Sequence, residues 1–162
     1  MKLWIIHKDE IGFSNIIAEI LQNRLEDYID VFVGNAKRID PSYVVEEKLD
    51  FLIIGDIISK EIPNLEIKDW FLKFWELSNK KKVVLKAISG YYIALAEIIV
   101  EPFWVKFLHD NVKVNIIYPP ILRLILNSGD ISLENKAYDK VKDYSNDLIE
   151  YFVENKRKKK NY

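Results

Sequence analysis

The chain has 162 residues, 49% of them hydrophobic and 30% charged, with 5 Gly and 5 Pro; this suits one domain with a sizeable core and excludes a disordered or low-complexity chain. No Cys is present and the two histidines, His7 and His109, are far apart, which excludes disulfides, thiolate chemistry, cysteine-held clusters and a multi-histidine metal site within one chain. The net charge of −1 is uneven: 156–162 holds five basic residues and no acid, leaving 19 basic against 25 acidic residues in 1–155, and an acidic body argues against a nucleic-acid footprint.

In chain order, Lys2–Ile6 is a short apolar run that predicts a buried strand. Ile16, Ile17, Ile20, Leu21 and Leu25 then share one face of an amphipathic helix, with Asn15, Glu19, Gln22 and Glu26 opposite. Val31–Val33 predicts a second strand, and Ala36–Leu49 a short irregular helix. Phe51–Ile54 is uniformly apolar, as a strand covered on both faces requires. Ile67, Trp70, Phe71, Phe74 and Leu77 mark a further helix, Val83–Ile88 a fourth strand, and Ile93–Leu108 a helix bent near Pro102. Val112, Val114 and Ile116 alternate with Lys113 and Asn115, the period of a half-exposed edge strand. Ala137, Val141, Tyr144, Leu148 and Phe152 line a C-terminal helix.

Five strands alternating with helices predict a three-layer α/β domain over residues 1–155: a parallel sheet with helices on both faces. Gly12, Gly34, Gly55 and Gly90 each follow a predicted strand, and ligands of such open sheets bind outside the carboxyl ends of the strands. The dinucleotide fingerprint, the G-x-x-x-x-G-K-[ST] phosphate loop and the G-x-S-x-G elbow are all missing.

The first strand–turn–helix, Ile5-Ile6-His7-Lys8-Asp9-Glu10-Ile11-Gly12-Phe13-Ser14 followed by Ala18 and Leu21, resembles the phosphate-loop signature of flavodoxins. Asp50-Phe51-Leu52-Ile53-Ile54-Gly55 is similar to the third flavodoxin strand and its glycine, and the similarity runs on through Trp70-Phe71-Leu72, Lys82-Val83-Val84-Leu85 and Pro119-Pro120. The resemblance implies strand order 2-1-3-4-5, noncovalent FMN and one- or two-electron transfer to a redox partner protein. It places the phosphate at Glu10, Ile11, Gly12, Phe13 and Ser14. The ring then lies between Asp56, Ile57 and Ile58 on one side and Ser89, Gly90, Tyr91 and Tyr92 on the other. Asp9 stands where the family has a hydroxyl. A carboxylate about 4 Å from one phosphate charge costs about 4 kcal/mol at an effective dielectric of 20, more than the 0.3–2 kcal/mol or so that a helix end returns. Binding therefore requires Asp9 to turn away or to be neutralised by Lys8.

Two other readings share the topology. One is a flavodoxin-like domain that has lost FMN and serves as a protein-interaction module, with homo-oligomerisation among its outcomes. The other is a receiver domain, with Asp9, Glu10 and Ser89 around a phosphate-accepting Asp56, although Tyr118-Pro119 stands where a receiver has Lys-Pro. Lys86, in an apolar run, either reaches Asp9, Glu10 or Asp56 or lays its stem along an exposed edge. The run Lys156–Lys160 reads as a frayed, solvated helix end. No stretch matches a signal-peptide core or a membrane span, so the expected location is the cytoplasm.

Overall fold

The computed structural model describes residues 1–8, 12–58 and 65–160, the last two of these by their backbone alone. Asp9, Glu10 and Ile11, expected at the phosphate, lie outside the described residues.

Strand β1 (Lys2–His7) alternates its side chains between two cores. Leu3 and Ile5 face helices α1 (Phe13–Leu25) and α5 (Ala137–Lys160), while Trp4 and Ile6 face the opposite layer. That opposite layer comprises α2 (Pro41–Glu46), α3 (Leu65–Lys80) and α4 (Phe103–Asn111). Burial on both sides explains why the central strands β3 (Phe51–Ile58) and β4 (Ala87–Leu95) read as continuous apolar runs rather than alternating ones. With β2 (Asp30–Asn35), β5 (Leu122–Asn127) and the short β6 (Ser132–Leu133), the sheet order is β2-β1-β3-β4-β5-β6. The pairs among β1–β5 are parallel and β6 is antiparallel. The expected order 2-1-3-4-5 is present, with one strand added at its end.

Two strands sit elsewhere than the sequence predicts. The fourth begins at Ala87, because Val83–Lys86 is an approach segment in which Val84 is 84% exposed. It then runs on to Leu95, using residues assigned to a loop and a helix; the helix itself starts only at Phe103, after Pro102. The expected edge strand at 112–116 is a 3-10 turn, Val114–Ile116, closed by local bonds from Ile116 N–H to Lys113 O and from Ile117 N–H to Val114 O. Alternation of two valines and an isoleucine at a helix exit mimics a strand without supplying a neighbour to pair with. The fifth strand comes after Pro119 and Pro120, which have no amide to donate to a ladder.

Helix α5 continues through Lys160, so the basic run is its last turns, and the Lys156 ammonium donates to Tyr28 O. Among the described residues no helix is long and apolar enough to cross a membrane.

Candidate functional site

The carboxyl ends of β1, β3 and β4 open toward one end of the sheet, where α1 begins. Gly12 is the N-cap of α1 at φ 89°, a left-handed conformation that suits glycine, and a Cβ built there would meet nothing within 4 Å. As a glycine, the N-cap residue offers no side-chain cap, although first-turn amides have no intrahelical acceptor. Ser14 is fully buried, and its hydroxyl has no hydrogen-bond partner among the described residues. A positive helix end and a buried hydroxyl without a partner among the described residues are the chemistry of an anion cradle.

The sheet beneath this end is rigidly packed. Tyr91 lies across Gly55, its register partner on β3, and donates its hydroxyl to Ser14 O at 2.6 Å. The first turn of α1 is thereby tied to the middle of β4. On the other face Trp104 covers Gly90 and donates its indole N–H to Asp56 at 3.1 Å, and Asp56 also accepts from Ile57 N–H at 2.7 Å. Ser89 donates to Pro119 O at 2.6 Å and accepts from the Tyr144 hydroxyl at 2.9 Å. Burial of that hydroxyl pushes the Tyr144 phenol far above its usual range, with the Ser89 bond pulling weakly the other way.

These contacts correct several expectations. Ser89, Gly90, Tyr91 and Tyr92 are not a loop: they form the buried interior of β4, and both tyrosines are core residues. Asp56, Ile57 and Ile58 are likewise the last residues of β3, all buried. Asp56 does not add a charge to the mouth, because it is turned under Trp104 on the α4 side while α1 lies on the other. The same burial, 2% exposed, speaks against Asp56 as a phosphate acceptor. Lys86 does not reach Asp56. It precedes β4 at the opposite end of the sheet and pairs with Asp50, over the Phe51 ring.

Lys8, and residues that the sequence did not single out, complete the carboxyl end. The Lys8 ammonium, its side chain 9% exposed, lies 3.3 Å from Glu66 in the first turn of α3, and Glu66 also meets Lys37 at 3.1 Å. Arg123 on β5 donates to Ile98 O at 2.8 Å and so pins the segment that follows β4. Burial pushes the neighbouring Tyr92 phenol above its usual value, with Arg123 opposing and Glu101 adding to the shift. In that pinned segment Ile99 and Val100 are 87% and 51% exposed, and Leu65 at the start of α3 is 61% exposed. No pattern marked Arg123, because the strand that carries it was expected ten residues earlier. Trp104 was hidden inside what read as one long helix.

No protein-family model matches the sequence, and no curated protein matches it. Solved structures do share its fold. A flavodoxin from Streptococcus pneumonia TIGR4 superposes with a TM-score of 0.68 at 17% identity, over 91% of this chain and 97% of that one. A flavodoxin from the domain Archaea gives 0.68 at 16% identity, over 94% and 99%. Rubredoxin oxygen:oxidoreductase from Desulfovibrio gigas gives 0.69 at 11% identity, with 94% of this chain matching 36% of that larger one.

Proposed function

We propose, from the flavodoxin-like fold that these likenesses share, that this chain binds FMN and works in electron transfer with a redox partner protein. The observation that carries the reading is the buried Ser14 hydroxyl, without a partner among the described residues, at the start of a helix whose N-cap is a glycine. In this reading the phosphate is received by the amides of the first turn of α1 and by Ser14, with Asp9, Glu10, Ile11, Gly12 and Phe13 forming its loop. FMN, when bound, supplies the one- or two-electron chemistry that no side chain here provides. The chain's own contribution is to hold and enclose. Tyr91 fixes the position of Ser14 through its carbonyl, and Arg123 fixes the segment bearing Ile99 and Val100, an aliphatic surface for a flat ring. The inward turn of Asp56 supports the reading, since it takes one carboxylate away from the anion.

The test is titration of the cofactor-free protein with FMN and, separately, with riboflavin, followed by flavin fluorescence. Tight binding of FMN and much weaker binding of riboflavin is the expected result. Equal binding of the two would remove the phosphate cradle. No binding of either would overturn the reading and leave a flavodoxin-like interaction module without flavin.

A further inference from the structure

The sheet has two edges and treats them differently. Beyond β5 the two-residue β6 closes one edge with a short antiparallel strand. At the other, β2 presents the six residues Asp30–Asn35, with no proline, no lysine and a single charge at Asp30. Edge strands of this kind are normally blunted by lysine, proline, a bulge or brevity, because their free amides and carbonyls template another strand.

The ladder to β1 fixes which groups point outward. Asp30 N–H donates to Met1 O at 3.1 Å and Ala36 N–H to His7 O at 2.9 Å. In a parallel pair the bonded residues alternate, so Asp30, Phe32 and Gly34 face β1 while Val31, Val33 and Asn35 turn their backbone groups away from it. The Asn35 carbonyl is used locally by Arg38 and Ile39, and the Val31 carbonyl accepts from Gln22 at the long distance of 3.4 Å. Val31 and Val33 are therefore the residues an added strand would pair. Beside them lies an aromatic group: Phe32, 37% exposed, stacks on Trp4 at 5.2 Å, and the exposed Tyr43 meets Trp4 edge-on at 5.9 Å.

The two ends of this edge carry opposite charge. The exposed acids Glu26 and Asp27 precede β2, and the exposed bases Lys37 and Arg38 follow it. An edge that is acidic at one end and basic at the other is complementary to itself when reversed. We propose that β2 pairs antiparallel with β2 of a second copy about a twofold axis at Phe32, making one continuous sheet. That register sets Val31 against the partner's Val33 as a hydrogen-bonded pair, and Phe32 against the partner's Phe32 where side chains approach closely. Asp30 then faces the partner's Gly34 rather than another acid. The Glu26–Asp27 turn lies beside the Lys37–Arg38 turn of the other copy, at both ends. The contact leaves the start of α1 and the Ile99–Val100 segment outside it, so it does not depend on flavin.

Sedimentation velocity of the full chain over a concentration series, at low and high salt, tests the dimer. A monomer–dimer equilibrium in the micromolar range is expected, weakened by salt as exposed charge pairs are screened. Glu26→Arg and Arg38→Glu should each weaken it by about tenfold, because a like charge is met at two symmetric places, and the double variant should restore it. Val33→Pro removes an outward donor without breaking the ladder to β1, and should leave a monomer with an unchanged circular-dichroism spectrum. If that variant fails to fold, the charge exchange decides alone. A wild-type chain that stays monomeric throughout would overturn the proposal. So would a dimer indifferent to the single charge reversals, or one that the double exchange does not restore.

Discussion

Replacing Gly55 by alanine tests how the sheet holds the start of α1. A Cβ at this position would lie 2.3 Å from the Tyr91 hydroxyl oxygen, 2.4 Å from Cζ and 2.9 Å from Cε2. Carbon pairs rest at about 3.5–4.0 Å, so the ring must move by about 1 Å. Tyr91 is fully buried and bonded to Ser14 O at 2.6 Å, which leaves it little room to do so. Overpacking of this kind costs about 1–3 kcal/mol, and loss of the hydroxyl bond about 1 kcal/mol more. The expected destabilisation is therefore about 2–4 kcal/mol, measured by urea unfolding. At roughly 2–4 °C per kcal/mol for a domain of this size, the midpoint should fall by about 5–15 °C. Tyr91→Leu destabilises as well, but it removes the atoms that the new methyl meets. The Gly55→Ala/Tyr91→Leu pair should accordingly lose at least 1 kcal/mol or so less than the sum of its singles. Additive losses, or a single-variant loss below about 0.5 kcal/mol, would show that Tyr91 does not lie over Gly55.

Ser14→Ala should leave the flavin-free protein at least as stable in urea, since a buried hydroxyl without a partner among the described residues carries a desolvation cost of about 1–3 kcal/mol; it should weaken FMN about tenfold, or ~1.4 kcal/mol, while leaving riboflavin unaffected. Gly90→Ala meets Ile54 O at 2.3 Å and the Trp104 ring at 2.6 Å. Neither a strand carbonyl nor a buried indole can retreat, so urea unfolding should report a loss of about 3 kcal/mol or more. Asp50 gives a pH dependence. Burial raises its carboxyl, but the Lys86 hydrogen bond and charge and the Lys2 amide outweigh it, so the group lies below its usual value. The stability it adds is complete above the unfolded value of about 3.9 and is lost as pH falls through the folded one. Asp50→Asn should therefore be less stable than wild type at neutral pH, with the gap closing below about pH 4 in a series of urea midpoints.

Where helix and strand patterns were unambiguous, local sequence was enough. Of the face expected for α1, Ile17, Leu21 and Leu25 are buried against the sheet while Ile20 is half-buried and Ile16 is 46% exposed at its margin; on α3, Ile67, Trp70, Phe71 and Phe74 are buried and Leu77 half-buried. The uniform run from Phe51 identified a central strand correctly and erred only in its length. Ser89–Tyr92 failed for a physical reason. A Ser-Gly pair after an apolar run signals a turn locally, whereas here glycine is required by the approach of Trp104 from a distant helix. Serine is satisfied there by Pro119 and Tyr144, which come from two further elements.

The sequence by itself determined the layer order, the two-sided core and the loop at which α1 begins, because these follow from periodicity, chain order and glycine placement. Only tertiary structure decided which polar groups face that loop. Asp56 and Lys86 are charged in sequence alike, yet one is turned under Trp104 and the other is matched to Asp50 at the far end of the sheet. A charge's influence depends on its distance and surroundings rather than its position in the chain. The pairings that set both were made between residues 48 and 36 positions apart.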